Sequence, residues 1–347
     1  MSWGPVHGHD RVVLSLRLAM AEGRFPHSLL FVGPEGVGKK TFAVRLAQAL
    51  LCETRSETEL EPCGACQACL QVMAKTHPDF LIFGRPADRH ELPIAVVRQL
   101  GHDMGLKPAR GARKVAIVDD ADDMNDEAAN ALLKTLEEPP PGSVLVLIGT
   151  SAEVQLETIV SRCRVVRFDP LPEAELQAVL RECGIAADHA EAARLAALGE
   201  GSVARAIGLA DPALTAFRRD LIDQIAQPGG FDPAATAKSI ETFVKEAGKE
   251  SVDQRTRAAL LAVELATFFR AVLWQTAGLE PPAADPADRR AAANLAERLG
   301  PEDVFLLAER CLDAHYHIQR KAYLPLVLDA LMSDLARVLP GTRSAIA

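Results

Sequence analysis

Residues 114–150 read KVAIVDDADDMNDEAANALLKTLEEPPPGSVLVLIGT, and this stretch decides the fold. It begins with an apolar run, 115–118, that ends in the carboxylates Asp119 and Asp120. A buried parallel strand presents acids in this way at the carboxyl edge of a sheet, where α/β folds hold their ligands. The run therefore predicts a central strand followed by a polar site.

The second part of this stretch predicts a helix and another strand. Asn125 is a suitable N-cap, and apolar residues then recur at helical spacing on one face until the prolines at 139–141 end the helix. A second apolar run, 144–148, leads to the hydroxyl of Thr150, and Arg162 follows soon after. Strand, acids, helix, strand, hydroxyl and arginine in this order are typical of the second half of a nucleoside-triphosphatase core.

Length and composition restrict the class of protein. The 347 residues are enough for two or three domains, and 48% apolar with 24% charged residues is ordinary for a globular protein. A net charge of −9 argues against a broad DNA-coating surface. No apolar run is as long as a membrane span and the N-terminus lacks a signal-peptide pattern, so we expect a cytoplasmic protein.

A glycine-rich turn, GPEGVGKKT at 33–41, directly follows an apolar run at 28–32 and precedes a helical pattern. Strand, glycine turn and helix start are the context of a phosphate-binding loop. Backbone amides and the helix end attract an anion there, and a lysine adds positive charge. The predicted ligands from the turn are Gly33, Gly36, Gly38 and Lys39. The alternative is a glycine turn with two surface lysines.

Lys40 departs from the phosphate-loop pattern, which requires a serine or threonine whose hydroxyl holds magnesium. Thr41 comes one residue later, about 100° round the helix, so it does not simply replace that hydroxyl. A second cation at this place favours a phosphate and repels a metal ion. The sequence therefore predicts a nucleotide site, with Lys40 and Thr41 beside it, that hydrolyses poorly.

The acids after 115–118 give a second departure. Asp119 is the expected holder of magnesium-bound water, and Asp120 stands where a glutamate would activate the attacking water. Aspartate is one methylene shorter, and proton abstraction requires hydrogen-bond reach, so Asp120 is a weakened catalytic position. The alternative for 119–123 is an acidic turn.

A compact group of cysteines predicts a structural zinc site. The odd total of seven cysteines fits a reducing compartment and a metal better than a disulfide frame. Two overlapping C-x-x-C steps with an upstream thiol can wrap a tetrahedral ion and leave no position for water. The predicted ligands are Cys52, Cys63, Cys66 and Cys69, with a spacer of ten residues after the first. The alternative is a set of ordinary thiols, and His77 is interpreted as a loop residue.

Three further polar residues are candidates for the nucleotide site. Thr150 can sense the terminal phosphate from an adjacent strand, although a plain strand-end hydroxyl explains it equally well. Arg162 is a candidate arginine finger, which can act on a neighbour's nucleotide; the alternative is a surface salt-bridge partner. Arg205 lies near a helix start after Gly199-Glu-Gly-Ser, where it could reach a nucleotide from a helical lid.

The pattern predicts an α/β core at 1–166 with the zinc module at about 52–69, a small helical lid at 167–211 and an all-helical domain at 212–347. The last region has strongly apolar helix faces, which favour packing against other subunits, although an ordinary bundle core explains the same pattern.

Several of these stretches resemble bacterial clamp-loader subunits of the AAA+ class. They are residues 128–140, Ser161-Arg-Cys163, the four-cysteine insert and the lysine loop. Within that class, the His77-Pro-Asp79 run and the basic loop into Lys114 are similar to the delta-prime family of DNA polymerase III subunits. The gamma/tau motor family carries Asp-Glu-Val-His where this chain has Asp119-Asp-Ala-Asp122, and threonine or serine where it has Lys40.

The resemblance implies an AAA+ P-loop core with a zinc module, a helical lid and a helical collar that assembles a pentameric ring. With delta and gamma/tau partners, such a ring opens the sliding clamp and places it on primer-template DNA. Arg162 then matches the trans finger and Arg205 the lid-side sensor, with ATP or ADP as ligand. The spacer after Cys52 is longer than usual in the family, which leaves the fourth zinc ligand open.

Three functions follow as hypotheses, of which the third is an unrelated AAA+ remodeller of some other ring. In the first, the chain is a delta-prime-type, mostly non-motor subunit of the DNA polymerase III holoenzyme, with weak or absent ATPase activity and no polymerase chemistry of its own. In the second, it is a gamma/tau-like active ATPase motor. Lys40 and Asp120 favour the first.

Overall fold

A computed structural model describes residues 3–4, 6–86, 89, 91–248, 251–281 and 288–339. The chain divides into two compact units, Met1–Gly184 with Gly201–Ala204 and Ile185–Glu200 with Arg205–Ala347. In chain order the elements are α1 (Asp10–Ala21), β1 (Ser28–Val32), α2 (Lys39–Leu50), α3 (Gln67–Met73), β2 (Phe80–Phe83), α4 (Ile94–Gly105), β3 (Lys114–Val118), α5 (Asp126–Glu137), β4 (Ser143–Ile148), α6 (Glu157–Val160), β5 (Arg164–Arg167), α7 (Glu173–Glu182), α8 (His189–Gly199), α9 (Val203–Leu209), α10 (Pro212–Ala226), α11 (Pro233–Lys245), α12 (Ser251–Thr276), α13 (Arg289–Ala296), α14 (Pro301–Gln319) and α15 (Leu324–Val338).

The first unit is built on a five-stranded parallel sheet with the strand order β2-β3-β4-β1-β5. All residues of β1, β3 and β4 are buried, as expected for strands covered on both faces. Alternate side chains enter two hydrophobic cores: Leu29 and Phe31 pack with α1 and α2, whereas Leu30 and Val32 pack with α4 and α5. The sheet therefore lies between two helical layers.

The helix predicted after the acid run is confirmed as α5. The Asn125 side chain accepts a hydrogen bond from the Ala128 N–H at 2.9 Å, and this N-cap fixes the start of the helix. The helix ends at Glu137, before Pro139–Pro141. The predicted strands at 28–32, 115–118 and 144–148 are also present, and β3 and β4 extend one residue further toward their N-terminal ends.

Strand β5 lies at one edge of the sheet, and the sequence analysis did not predict it. It pairs with β1, and within the described residues the sheet continues no further beyond it. Val165 and Val166 are half-buried, whereas Arg164 and Arg167 at its two ends are exposed. Two valines between arginines give too weak an apolar signal for a strand, so the neighbouring strand decides the conformation.

The second unit is helical and has one hydrophobic core around α12. This helix is long and apolar enough to cross a membrane by length and composition over Val252–Thr276, which corrects the expectation that no run has that property. However, 61% of the 18-residue apolar window within this helix is buried inside the protein, as in a core helix.

A buried ion network joins three of the helices of this unit. Arg218 donates from Nε to Glu264 at 3.1 Å and through both terminal nitrogens to the Asp288 carboxylate at 3.1 and 2.5 Å. The second oxygen of Glu264 accepts from Arg205 Nε at 2.8 Å. Arg218, Glu264 and Asp288 are all buried, so their charges neutralise one another in a dry environment.

Candidate functional site

The phosphate loop lies between the end of β1 and the start of α2, as predicted. Gly36 and Gly38 have φ of +75° and +96°, a left-handed backbone that glycine adopts without strain. Gly38 is also the N-cap of α2, so the turn leads directly into the positive end of a 12-residue helix. This arrangement can receive an anion.

Two of the glycines are required by close packing as well as by backbone angle. A Cβ on Gly36 would lie 2.3 Å from Ser202 Oγ and 2.7 Å from Ala204 Cβ. The carbonyl of Gly36 accepts the N–H of Val203 at 2.9 Å, so the loop is tied to residues 201–204 of the same unit. A Cβ on Gly33 would lie 2.2 Å from the carbonyl oxygen of Phe168.

Lys39 is buried and turns back onto the loop. Its ammonium donates to the carbonyl oxygens of Gly33 and Pro34, the latter at 2.7 Å. Burial lowers the pKa of Lys39, and the nearby carboxylate of Glu35 partly offsets this effect. In this conformation the carbonyl oxygens of the loop accept the hydrogen bonds that Lys39 would donate to a bound phosphate.

Lys40 forms an ion pair with the acid at the end of β3. Its Nζ lies 2.7 Å from Asp119 Oδ2, and the two side chains are 52% and 23% exposed. A magnesium-binding P-loop has a hydroxyl at this position, and its strand-end aspartate faces the metal. Here an ammonium lies against that carboxylate instead, and Thr41 is exposed one residue further along α2.

The residues present therefore do not fit a magnesium ion. A divalent ion about 4 Å from an ammonium is repelled by roughly 2 kcal/mol in water and roughly 8 kcal/mol at the effective dielectric of about 20 near a protein surface. The pair is partly solvated, so the repulsion lies between these limits, and the hydroxyl ligand is missing in addition.

Asp120, the second residue after β3, adopts a left-handed backbone with φ of +54°. Asp120 is exposed as a residue, but its carboxyl group is partly desolvated. Desolvation is the larger cause, and the charge of Asp119 the second, of a raised pKa of Asp120. Nearby, Arg85 forms an ion pair with Asp123 at 2.5 Å. Asp120, the predicted weak water-activating residue, is also next to Asp119, whose carboxylate already pairs with Lys40.

Thr150 lies at the end of β4, next to β1, and is held by Asp122. Both its N–H and its Oγ1 donate to Asp122 Oδ2 at 2.7 Å, and Gln155 donates to the other oxygen at 2.5 Å. The sequence analysis did not single out Asp122. Its only signal was membership in the run 119–123, which does not say which acid turns back toward β4.

Arg162 follows α6 and is folded onto its own unit. Its guanidinium contacts Glu137 Oε1 at 2.7 Å and donates to the carbonyl oxygen of Thr158 at 2.9 Å. Both ionic partners are partly exposed, and such surface pairs contribute about 0–1 kcal/mol. The arginine can therefore exchange this partner at small cost.

Arg205 belongs to the second unit, where it joins the buried ion network. It contacts Glu264 at 2.8 Å and Glu200 at 2.6 Å, and it donates to Thr267 Oγ1 at 3.1 Å. Its side chain is 12% exposed. These contacts stabilise Arg205 within the helical unit.

The four predicted metal ligands are brought together by the fold. The Sγ atoms of Cys52, Cys63, Cys66 and Cys69 all lie within 4.8 Å of one another and could hold a metal ion. Two of the separations are 4.0 Å, between Cys52 and Cys66, and 3.8 Å, between Cys63 and Cys69. Zinc–sulfur bonds of about 2.3 Å give tetrahedron edges of about 3.8 Å, so the cluster fits a zinc ion.

Backbone amides point at the cysteine sulfurs. Cys63 Sγ accepts the N–H groups of Ala65 and Cys66 at 3.4 and 3.2 Å. These bonds, together with a larger contribution from the Thr54 hydroxyl, lower the pKa of Cys63 to about 5. The cluster is also attached to α2, because Gln48 donates from Nε2 to the carbonyl oxygen of Cys69 at 2.9 Å. Burial raises the pKa of the Cys69 thiol, so the thiolate character belongs to Cys63 rather than to Cys69. That thiolate and the fixed backbone are both suited to metal binding.

His77 is a buried structural residue, separate from the metal-capable cluster found among the described residues. Its Nδ1 accepts the N–H of Asp79 at 3.1 Å. The fully buried Asp79 carboxylate in turn accepts the N–H groups of Ala109 and Arg110, both at 2.7 Å. The His-Pro-Asp run therefore anchors the basic loop that precedes β3.

These features define the class of protein. A parallel sheet in the order β5-β1-β4-β3-β2, a P-loop after β1, acids after β3 and a hydroxyl after β4 make an AAA+ P-loop core. The four-cysteine cluster is an insert in that core, and a helical unit follows. A DNA polymerase III gamma subunit-related protein from Thermotoga maritima has a similar structure, at 17% identity and a TM-score of 0.39, covering 88% of this chain and 99% of that one. Because that score is low, the assignment depends on strand order and motif.

Sequence comparison gives the family. Residues 8–172 match a family model described as "DNA polymerase III, delta subunit". The chain is 41% identical over 150 residues to the delta' subunit of Pseudomonas aeruginosa, covering 43% of this chain and 44% of the relative. It is 32% identical over 210 residues to delta' of Bacillus subtilis, covering 60% and 61%. These similarities support membership of the DNA polymerase III clamp-loader family.

A tau subunit matches over a longer stretch. The tau subunit of Escherichia coli is 31% identical over 284 residues, which is 80% of this chain and 43% of that protein. The chain thus spans less than two thirds of each of these relatives. The identities also do not separate the delta' and tau types, so the choice between them depends on the site.

Proposed function

We propose that this chain is a delta-prime-type subunit of the DNA polymerase III clamp loader, mostly without motor activity. Together with delta and gamma/tau partners in a heteropentamer, it would help to load the sliding clamp onto primer-template DNA in the cytoplasm. The observation that carries this proposal is the ion pair between Lys40 and Asp119 at 2.7 Å. It supports a P-loop in which magnesium-dependent hydrolysis is blocked.

The ATPase of the purified chain tests the non-motor role. We expect magnesium-dependent ATP hydrolysis no faster than that of the Lys39→Ala variant, because both the metal-ligand hydroxyl and the water-activating glutamate are replaced. A gamma/tau subunit assayed in parallel is the positive control. Brisk turnover by this chain alone would refute the proposal and favour the second candidate, a gamma/tau-like motor, which the long tau match supports.

We propose that Arg162 serves a neighbouring subunit as an arginine finger. Support comes from its position after the core and from its weak, partly exposed pair with Glu137, which it can leave at a cost of about 0–1 kcal/mol. The Arg162→Ala variant should still assemble with partner subunits, while the DNA-stimulated ATPase of the assembly falls. Arg164→Ala is a matched control two positions away. Equal ATPase rates for both variants would remove this assignment.

The domain at 212–347 is proposed as the collar that assembles the ring. Support comes from α14, where Phe305, Leu312 and Tyr316 recur at helical spacing and are 60%, 53% and 53% exposed. Phe305→Asp should weaken co-purification with partner subunits, because an exposed apolar stripe is typical of an interface. Leu279→Asp, at a comparably exposed position of the same unit, should not. Retained assembly in the Phe305 variant would argue against this face.

We propose that Cys52, Cys63, Cys66 and Cys69 hold one structural zinc ion. The purified chain should contain close to one equivalent of zinc by elemental analysis. Cys66→Ser should lose it, whereas Cys183→Ser, an exposed cysteine in the same unit, should retain it. Full zinc content in the Cys66 variant would contradict the assignment. We further propose ATP or ADP as the ligand of the P-loop, with Thr41 and Thr150 as candidate contacts in the same unit.

A further inference from the structure

The start of α2 carries two consecutive ammonium groups that are differently placed. Lys39 is buried and donates to two carbonyls of its own loop. Lys40 is half-exposed and lies against Asp119, on the side where β3 ends. Both lysines and the aspartate belong to the same compact unit, so their arrangement is set within one body.

The Lys40 ammonium contacts the strand-end aspartate, as the divalent cation does in a magnesium-binding P-loop. There the cation neutralises the strand-end aspartate and bridges it to phosphate oxygens. In this chain Lys40 Nζ makes the contact with Asp119 Oδ2 at 2.7 Å, which neutralises the carboxylate. An ammonium has three N–H donors, and one carboxylate contact uses one of them. The side chain is 52% exposed, so a phosphate can reach the ammonium.

We infer that this P-loop binds a nucleoside di- or triphosphate in its metal-free form, with the Lys40 ammonium acting as a covalently attached replacement for magnesium. This inference rests on the proposed non-motor function and names the ligand form that such a site takes. The phosphate ester contributes its negative charge, and Lys39 and Lys40 contribute two positive charges beside the helix end. A magnesium complex brings a cation that both lysines repel.

The surrounding carboxylates limit the affinity. Glu35 lies near Lys39, and Asp120 and Asp122 lie on the β3 side of the site. These carboxylates confine the positive potential to the immediate surroundings of the two lysines. Lys39 must also exchange its contacts with Gly33 and Pro34 for phosphate oxygens. Since these partners are neutral carbonyls, a charged phosphate is the stronger acceptor. We therefore expect modest binding that depends on Lys40.

Calorimetric titration of the 347-residue chain with ADP tests the inference directly. Parallel titrations in EDTA and in excess MgCl2 should show binding in EDTA that is at least as tight as in MgCl2. Lys40→Thr should weaken ADP binding in EDTA by about tenfold or more, and a tenfold change corresponds to about 1.4 kcal/mol of binding free energy. In this variant magnesium should strengthen ADP binding. Lys40→Arg keeps the charge and should retain binding in EDTA. Circular dichroism confirms that each variant is folded.

A pyrophosphate arm distinguishes the source of recognition. Competition by pyrophosphate as strong as by ADP would show that the phosphates alone are recognised, and weaker competition would show that the nucleoside contributes; either fits the inference. Absence of binding by ADP, ATP and pyrophosphate in both buffers would overturn the inference and leave the non-motor proposal intact. Binding that requires magnesium without turnover has the same meaning. Magnesium-dependent binding with turnover would overturn both.

Discussion

Replacing Glu264 by glutamine removes the central charge of the buried network in the helical unit. Glu264 is 3% exposed and contacts Arg205 at 2.8 Å and Arg218 at 3.1 Å. Breaking a buried ion pair by removing one partner costs about 3–5 kcal/mol, mainly because the other charge is left unpaired. Here each arginine keeps a second acid, Glu200 for Arg205 and Asp288 for Arg218, so the lower end of that range applies.

We therefore expect Glu264→Gln to lower the free energy of unfolding of the helical unit by about 3 kcal/mol. For a unit of this size, that loss lowers the melting temperature by roughly 6–12 °C. Thermal and urea unfolding followed by circular dichroism measure the change. Glu241→Gln is the control, since Glu241 pairs with Lys245 on the surface of the same unit and contributes about 0.5 kcal/mol or less. A loss below about 1 kcal/mol for Glu264→Gln, or equal losses for both variants, would refute this reasoning.

Three further changes test the first unit. Gly36→Ala should destabilise it by at least about 1 kcal/mol more than Gly38→Ala in urea unfolding, because both positions have positive φ but only a Cβ at 36 meets other atoms. Asp79→Asn should lower the free energy of unfolding by about 1–3 kcal/mol and make the loop at 107–113 cleavable by trypsin, since a buried acceptor of two N–H groups becomes a partial donor. The control, Asp103→Asn, changes a partly exposed acid bonded to Gln99 and should have neither effect. Burial lowers the pKa of His9 from its ordinary value of 6.5, so the unfolded chain binds the proton more readily and stability should fall as the pH drops below about 6.5. His9→Gln should have a flatter pH profile of unfolding between about pH 7.5 and 5.5, and an unchanged slope would contradict this cause.

The parts of the fold that the sequence predicts are those with a local signal. Strands β1, β3 and β4 are continuous apolar runs, and α5 has both a capping residue and a stop, so their positions follow from neighbouring residues alone. The cysteine spacing similarly predicts that the four sulfurs converge. Strand β5 was not predicted because its conformation comes from pairing with β1, 135 positions earlier in register at Leu29 and Arg164.

Side-chain partners at the site could be predicted only in part. The sequence marks Lys40 as a departure from the metal-binding pattern, but its pairing with Asp119 depends on the distance between α2 and the end of β3. The same holds for Thr150, whose partner Asp122 is one of several acids in the same run. Arg205 is predicted from a helix start, whereas two of its three partners, Glu264 and Thr267, lie on α12 about 60 residues away. Pairs of this kind arise from tertiary packing and leave no periodic trace.

The arginines at the two ends of β5 affect how copies of this chain can associate at the edge of the sheet. An open sheet edge is a template onto which another extended chain can add, and charged residues placed there oppose such growth. Arg164 is further held by Ser15 Oγ at 2.9 Å, which keeps its charge beside the strand. The two arginine charges should therefore oppose strand-to-strand association between copies of this chain.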